Sequence, residues 1–285
     1  MIGRSSGARE CRGHVAPARA AGGRGDPNIR VWAVILAAAV LALLCGPLSA
    51  LGEEGSSWPA VFKLLILKEG GPVAIGTAFF VDPSGLALTN SHVVYRAQHD
   101  PKNYVLLAIF NKEFYGVEIV CASHLDIDPA EAPEARVGRD VAEIRLTPPA
   151  RKDIWWGTPS PGGQSQKGQI QFEAPPHAGP LPYFPFFTFG DGPEKGGQVR
   201  IVGYGRMSQT REKIVATGTV TKIEAVPDGT PVFEIESPDR PEPGSSGSPV
   251  LNEQDRVVGM YTWNESKSDI AGLAISSAAF TTPCP

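Results

Sequence analysis

Short apolar runs, separated by glycine- and proline-rich turns, recur along most of this chain of 285 residues. Short runs rich in Val, Ile, Phe and Tyr and bounded by such turns are typical of β-strands. The first six predicted strands are 61–67, 73–81, 86–89, 104–110, 114–121 and 140–146. The second six are 198–204, 214–224, 232–236, 249–251, 256–263 and 270–276. This pattern predicts an all-β chain of two six-stranded barrels without a helical domain, because barrel closure removes exposed sheet edges.

Residues 148–187 interrupt the pattern, since they are rich in proline and glycine and show little periodicity. Such a composition indicates a linker or a surface excursion. Its aromatic residues, Trp155, Trp156 and those of 183–189, are interpreted as hydrophobic anchors or as part of a substrate groove. The predicted organisation is 1–52 for a leader with a signal or anchor segment, 58–147 for the first barrel, 148–187 for the excursion and 188–280 for the second barrel.

An uncharged apolar segment of 21 residues spans 31–51, with arginines before it and two glutamates after it. About 20 apolar residues suffice to cross a bilayer, and the preceding arginines favour an N-terminus inside the cell. Small residues near its end, including Ala50 and Gly52, are also typical of a cleavable signal peptide. A cleaved signal peptide and an uncleaved single-span anchor both stay open. Either one places the body outside the cytoplasm, as a periplasmic or secreted protein.

Charge is distributed unevenly along the chain. The first 30 residues contain six arginines and two acidic residues, whereas from Leu51 onward 20 basic residues face 28 acidic ones, a net charge of −8. Nucleic-acid binding needs clustered Lys and Arg, and the body contains no such cluster. We therefore expect no nucleic-acid partner. An apolar content of 42% and a charged content of 20% are those of a globular protein.

Two of the four cysteines, Cys121 and Cys284, belong to the body. In an oxidising compartment they are a candidate disulfide, although two free thiols are an equally open interpretation. The stretch from His124 to Asp128 alternates three groups that can ligate metals, but no further ligand accompanies it, so a solvated strand edge is favoured over a metal site. We expect no metal and no cofactor.

A serine in a glycine-rich turn, Ser246, directly precedes the apolar strand 249–251. A serine hydroxyl becomes a nucleophile only when a base takes its proton, which requires a histidine beside it and a carboxylate behind the histidine. Gly244 permits a backbone conformation in which its own amide and that of Ser246 point at one oxyanion. The alternative interpretation of the pentapeptide GSSGS, residues 244–248, is a flexible turn without a catalytic role.

Two residues in strand-ending contexts complete the candidate set. The turn at 82–85 predicts a hairpin that delivers His92 at its end, and Asp140 stands at the start of a predicted strand. The order His, Asp, Ser differs from that of α/β-hydrolases and of subtilisin-like enzymes. Three such residues in this order favour a catalytic triad over three unrelated structural residues.

The segments GTAFFVDPSGLALTNSHVV, DVAEIRL and GSSGSPVLNEQDRVVGMYTW resemble the three signature blocks of trypsin-like serine proteases. They are most similar to the bacterial branch that includes HtrA/Deg-type proteases and glutamyl endopeptidases, and the likeness spans roughly residues 60 to 280. The resemblance implies a fold of two six-stranded β-barrels with the active site between them. It also implies that His92 is the general base, Asp140 its orienting carboxylate and Ser246 the nucleophile, with the amides of Gly244 and Ser246 as the oxyanion hole.

Two departures from the family's pattern change what is expected. Digestive members carry an aspartate before the serine that pairs with a newly cut N-terminus, whereas this chain has Ser245 there. Activation by that salt bridge is therefore not expected. About 39 residues follow Ser246, so we expect no PDZ domain of the kind that HtrA-type chains carry.

Similarity also suggests where the primary substrate pocket lies. Its walls would be formed by Thr262, Trp263, Asn264 and Gly272, with Asp239 or Arg240 near its base. An aspartate at the base would favour basic side chains and an arginine acidic ones, so side-chain specificity stays open.

The combined expectation is an exported serine endopeptidase that acts on protein or peptide substrates through an acyl-enzyme intermediate. Two alternatives stay open at this point. One is a catalytically silent binding protein on the protease fold, and the other is an esterase on the same scaffold.

Overall fold

The computed structural model describes residues 58–68, 71–123, 140–149, 154–156, 170–172, 176–205, 213–227, 229–239, 241–264 and 271–281. All of them lie in one compact unit, Gly55–Pro285. Within these ranges no helix is both long and apolar enough to cross a membrane. The predicted signal or anchor segment, 31–51, lies outside the described residues.

The first barrel consists of six antiparallel strands, β1 Val61–Lys68, β2 Gly71–Phe80, β3 Leu86–Thr89, β4 Tyr104–Phe110, β5 Glu113–Ala122 and β6 Ala142–Thr147. They close the barrel in the order β1-β2-β3-β6-β5-β4. Strict alternation explains β6, in which Ala142, Ile144 and Leu146 are buried and the residues between them are not. The predicted first barrel is confirmed.

The second barrel consists of β9 Gln198–Gly203, β10 Ile214–Ala225, β11 Pro231–Glu236, β12 Pro249–Leu251, β13 Val257–Asn264 and β14 Ala271–Ser276, and a 3₁₀ turn, Ser277–Thr281, follows. These six strands close in the order β10-β11-β14-β13-β12-β9. Two further short strands, β7 Ile154–Trp156 and β8 Ile170–Phe172, pair in parallel outside both barrels. The all-β architecture of two six-stranded barrels agrees with the strand pattern of the sequence.

Apolar side chains from both barrels form a shared cluster between them. Phe79 and Leu88 come from the first barrel, and Val202, Leu251 and Met260 come from the second. Each side chain is at most 5% exposed, so separating the barrels would return a continuous apolar surface to water. This cluster holds the ends of β2 and β3 against the second barrel.

One short helix, α1 Ser91–His99, follows β3 and was not predicted from the sequence. The predicted hairpin of β2 and β3 delivers residues 90–94 at its end, and a helix begins there. Val93 and Val94 disfavour a helix by intrinsic propensity because they are β-branched. Both are buried against the first barrel, so tertiary packing overrides that propensity.

The last part of the proline-rich excursion crosses the first barrel as a strap, which we define as residues 176–190. Phe184 is fully buried in the aromatic core of the first barrel, where its ring stacks on Phe80 at 4.6 Å. Tyr183 is 76% exposed. The prediction of hydrophobic anchors in this excursion therefore holds for Phe184 and not for Tyr183.

A histidine fixes the start of the strap. His177 Nδ1 lies 2.8 Å from Glu113 Oε2, and His177 Nε2 lies 3.1 Å from the Pro180 carbonyl. Both partners are acceptors, so both ring nitrogens donate only when the imidazole is protonated. Tyr115 donates its hydroxyl to the same carboxylate and stacks on the His177 ring. The hydrogen bond to Glu113 is the main reason that the pKa of His177 is raised, and the same bond lowers the pKa of Glu113.

We predict that His177→Gln destabilises the protein more at pH 5.5 than at pH 8.5. A raised histidine pKa contributes stability below its ordinary value of 6.5 and loses it at higher pH, whereas the lowered pKa of Glu113 contributes above 4.5 and is lost on acidification. The pair is thus fully charged between these values. Because Glu113 is 40% exposed, solvent screening limits the pH-dependent difference to about 0.5 kcal/mol.

Urea unfolding of wild type, His177→Gln, Glu113→Gln and the double variant at both pH values measures this difference. A coupling energy that is the same at pH 5.5 and pH 8.5 would contradict the prediction.

Candidate active site

A buried carboxylate, Asp140, lies two residues before β6 and is 4% exposed. Its Oδ1 accepts the main-chain N–H of His92 at 2.9 Å, and its Oδ2 lies 2.6 Å from His92 Nδ1. The hydroxyl of Thr262 donates to the same Oδ2 at 2.5 Å. A buried carboxylate is tolerated only when such donors replace its lost water. Asp140 thereby fixes His92 at two points.

The first turn of α1 positions His92. The residue before the helix, Asn90, does not cap it with its side chain but donates Nδ2–H to the Asp140 carbonyl at 2.8 Å. Ser91 likewise donates its hydroxyl to the Val141 carbonyl at 2.6 Å. These bonds join the start of α1 to the segment that carries Asp140, so the imidazole and the carboxylate keep one relative position.

The environment of His92 raises its pKa. Burial is the largest influence and on its own disfavours the charged imidazole. The negative charge of Asp140 and its hydrogen bond to Nδ1 together outweigh burial, and the pKa lies above the ordinary value of 6.5. Because Nδ1 lies against Asp140, the tautomer of the neutral ring carries its proton on Nδ1, and Nε2 is its acceptor nitrogen.

The loop from Glu242 to Ser248 carries Ser246 and turns sharply at Gly244 and Gly247, which have φ values of 108° and 86°. Non-glycine residues rarely adopt these values. The amides of Ser245, Gly247 and Ser248 donate to the carbonyls of Glu242, Tyr261 and Ser245. Among the hydrogen bonds between described residues, none uses the amide of Gly244 or of Ser246 as donor. Both amides are thus available to an external acceptor.

The Ser246 hydroxyl donates to the main-chain carbonyl of Thr262 at 3.4 Å. Thr262 therefore contacts two of the three candidate residues, since its own hydroxyl donates to Asp140. The structure brings His92 and Asp140 into direct contact and connects Ser246 to Asp140 through this one residue of β13.

The predicted pocket residues fall mostly on two paired strands. Asn264 of β13 pairs with Gly272 of β14, and Trp263 pairs with Leu273. Thr262, also predicted as a pocket wall, is only 1% exposed, and its hydroxyl contacts Asp140. The Asp239 carbonyl accepts the Ser237 hydroxyl at 2.8 Å. The other residue predicted for the pocket base, Arg240, lies outside the described residues.

Two contacts of the site are not predicted by the sequence. One is the hydrogen bond from the Thr262 hydroxyl to Asp140, because nothing in the sequence shows on which side of β13 that hydroxyl lies. The other is made by Thr77 of β2, which no sequence motif marks. Its main-chain N–H donates to the Ser246 carbonyl at 2.9 Å, and its hydroxyl donates to the Gly244 carbonyl at 3.0 Å. Contacts between residues so distant in sequence leave no local pattern.

The described residues include only part of the predicted disulfide and none of the stretch considered as a metal site. Cys121 is disulfide-bonded, and its predicted partner Cys284 lies outside the described residues. The stretch 124–128, weighed as a metal site, also lies outside them. The part of the chain that the structure describes contains no group of three His, Cys, Asp or Glu side chains placed to hold a metal ion.

Comparisons with known proteins agree with this architecture. The family model of the trypsin-like peptidase domain matches residues 76–260. The active form of the Rv3671c protease from M. tuberculosis superposes with a TM-score of 0.51 at 16% identity, over 94% of this chain and 92% of that chain. A serine endoprotease from Yersinia pestis gives a TM-score of 0.50 at 15% identity, over 78% of this chain and 60% of that chain. At these identities the two structures support the fold alone.

We predict that Asp140→Asn lowers the pKa of His92. The substitution removes the charge that outweighs the burial of the imidazole, so burial then dominates. Titration of the histidine ring signals by NMR measures the effect, with His177 as an internal reference because it contacts Glu113 and not Asp140. An unchanged His92 titration in the variant would show that Asp140 does not control this imidazole.

Proposed function

We propose a reaction for this chain from the premise that it belongs to the trypsin-like peptidase family, whose model matches residues 76–260. The chain is a serine endopeptidase, and we assign its chemistry to His92, Asp140 and Ser246. The single observation that carries this assignment is the buried Asp140 carboxylate held against His92 Nδ1 at 2.6 Å. That contact fixes the tautomer in which Nε2 is the ring nitrogen that accepts a proton.

In the proposed first step, the Ser246 hydroxyl leaves the Thr262 carbonyl and transfers its proton to His92 Nε2 while its oxygen attacks the scissile carbonyl. Asp140 stabilises the resulting imidazolium without taking the proton itself. His92 then donates that proton to the leaving amine, which breaks the peptide bond and leaves an acyl group on Ser246. A water molecule, deprotonated by the same His92, hydrolyses the acyl-enzyme and restores the serine.

The oxyanion of each tetrahedral intermediate is assigned to the amides of Gly244 and Ser246. Support comes from the φ of 108° at Gly244 and from the use of the neighbouring amides of Ser245 and Gly247 within the protein. Donors fixed in advance where negative charge develops contribute about 10²–10³ in rate each. The loop thus supplies both the nucleophile and the main electrostatic stabilisation.

Protein or peptide substrates follow from the protease fold. For the primary pocket we keep Trp263, Asn264 and Gly272 beside Thr262 as its walls, because Trp263 and Asn264 directly follow Thr262 on β13 and Asn264 pairs with Gly272 of β14. Export is supported by the apolar segment 31–51 with its preceding arginines. Export places the enzyme in the periplasm or outside the cell, either released by cleavage or anchored by a single span.

We predict that Ser246→Ala abolishes turnover. Without the hydroxyl no acyl-enzyme forms, so casein hydrolysis falls by at least about 1,000-fold. Labelling by a fluorophosphonate probe disappears as well. Ser84→Ala, in the exposed turn between β2 and β3, is the matched control and keeps both activities. Activity that survives in Ser246→Ala would refute the assignment, and a folded wild-type protein that never reacts with the probe would favour the silent binding protein.

We also predict that kcat/KM falls on acidification with an apparent pKa above 6.5. The general base must be neutral, and the carboxylate of Asp140 raises the pKa at which His92 becomes neutral. Activity is therefore full at alkaline pH and is lost as pH falls through the raised pKa. Initial rates on a neutral peptide substrate between pH 5 and 9 test this. An acid limb below 6.5 would contradict the assignment of His92 as the base.

A further inference from the structure

One residue of the first barrel holds the main chain of the loop that carries Ser246. Thr77 lies on β2, is fully buried, and faces the loop from the other barrel. Its N–H donates to the Ser246 carbonyl at 2.9 Å, and its hydroxyl donates to the Gly244 carbonyl at 3.0 Å. Thr77 thus binds the carbonyls of the two residues whose amides are assigned to the oxyanion hole.

The Thr77 hydroxyl is itself held in place. It accepts the main-chain N–H of Tyr204, at the end of β9, at 3.0 Å. The Thr77 carbonyl accepts the hydroxyl of Thr89, three residues before His92, at 2.7 Å. A hydroxyl that accepts one hydrogen bond and donates another has one defined orientation. The bond that it accepts from Tyr204 therefore leaves the Thr77 hydroxyl oriented to donate to the Gly244 carbonyl.

The loop needs such an external anchor. Gly244 and Gly247 have positive φ values, and glycine leaves the backbone the freedom to adopt other conformations. Among the hydrogen bonds between described residues, two lie within the loop, from the amide of Ser245 to Glu242 and from the amide of Ser248 to Ser245. The Gly244 carbonyl belongs to the peptide unit between the two oxyanion donors, so rotation of this unit would change the backbone dihedral angles at Gly244 and Ser245 that set the directions of both amides. The bond from Thr77 to the Gly244 carbonyl opposes that rotation, as does the bond from the Ser245 amide to the Glu242 carbonyl.

Close packing accompanies these bonds. A side chain at Gly247 would collide with the Thr77 carbonyl and the Thr89 hydroxyl. The loop therefore lies directly against β2, and this contact survives loss of the Thr77 hydroxyl. Removal of the hydroxyl thus loosens the orientation of one peptide unit without separating the barrels.

We propose that Thr77 is a positioning residue of the oxyanion hole, which fixes the peptide unit after Gly244 from the opposite barrel. This inference rests on the proposed function for its catalytic consequence. The anchoring of the loop is a structural property that can be measured without turnover. In this arrangement the oxyanion hole is complete only when β2 of the first barrel is docked on the loop.

The kinetic test compares Thr77→Val with Thr77→Ser. Valine has nearly the shape of threonine but cannot donate to Gly244 or accept from Tyr204, whereas serine can do both. We expect kcat on a peptide substrate to fall about 10- to 100-fold in Thr77→Val with KM changed less than about threefold, since one misplaced oxyanion donor costs up to about 10³ in rate. Thr77→Ser should stay within about threefold of wild type.

Thr221→Val is the matched control. It makes the same substitution on β10, where the Thr221 hydroxyl donates to the Glu234 carbonyl at 3.4 Å, away from the loop. Its kcat should equal that of wild type. A raised KM with unchanged kcat in Thr77→Val would overturn the inference. An equal loss of kcat in Thr77→Val and Thr77→Ser would overturn it as well.

Hydrogen–deuterium exchange of the segment 242–248 reads the anchoring directly. We expect faster exchange there in Thr77→Val than in wild type or Thr221→Val, and equal exchange in β10 of wild type and Thr77→Val. Unchanged exchange in 242–248 would overturn the anchoring, whatever the activity. A wild-type protein that neither cleaves casein nor reacts with the probe would overturn the proposed function and the catalytic role of Thr77, while the exchange result would still decide the anchoring.

Discussion

The buried carboxylate of Asp140 constrains the whole candidate site. It is 4% exposed and accepts hydrogen bonds from the main chain of His92, the ring of His92 and the hydroxyl of Thr262. An ionised group in such a place costs several kcal/mol unless donors compensate it, so these donors must be in position whenever the protein is folded. Two of them belong to the first barrel and one belongs to the second. The requirement to satisfy one charge therefore also aligns the two barrels.

The apolar cluster between the barrels and the polar contacts at the site contribute differently to the association of the two barrels. Phe79, Leu88 and Met260 supply the non-directional burial that favours docking. Hydrogen bonds then select one docked arrangement, because a donor at Thr262 or Thr77 that misses its acceptor remains buried and unsatisfied. Apolar burial alone would tolerate small displacements of β2 relative to the second barrel. The hydrogen-bond distances that a proton transfer requires do not tolerate such displacements.

The sequence predicts the barrels well and the site contacts unevenly, for physical reasons. Alternation and turn residues mark strands such as β6 locally, and the order of His92, Asp140 and Ser246 marks the chemistry. Helix α1 escapes prediction because its valines favour strands and only packing on the first barrel makes them helical. The contacts that Thr77 makes with Gly244 and Thr262 makes with Asp140 are not predicted, because each joins residues more than 100 positions apart. Long-range contacts of this kind depend on the closed barrels and have no local signature.

The contacts of Thr262 indicate how the proposed catalytic residues and the proposed substrate pocket can vary separately. Its hydroxyl donates to Asp140 and its carbonyl accepts the Ser246 hydroxyl, so this one residue of β13 contacts both the carboxylate that holds His92 and the proposed nucleophile. Asn264, two residues further along β13, lies opposite Gly272 on β14, where a side chain would meet the ring of Tyr261. In the proposed pocket, a change at this end of β13 would alter which substrate side chain is accepted, while the buried Thr262 keeps its contacts with Asp140 and Ser246. The reverse does not hold, because a displacement of Thr262 would disturb the charge at Asp140 and the hydroxyl of Ser246 together.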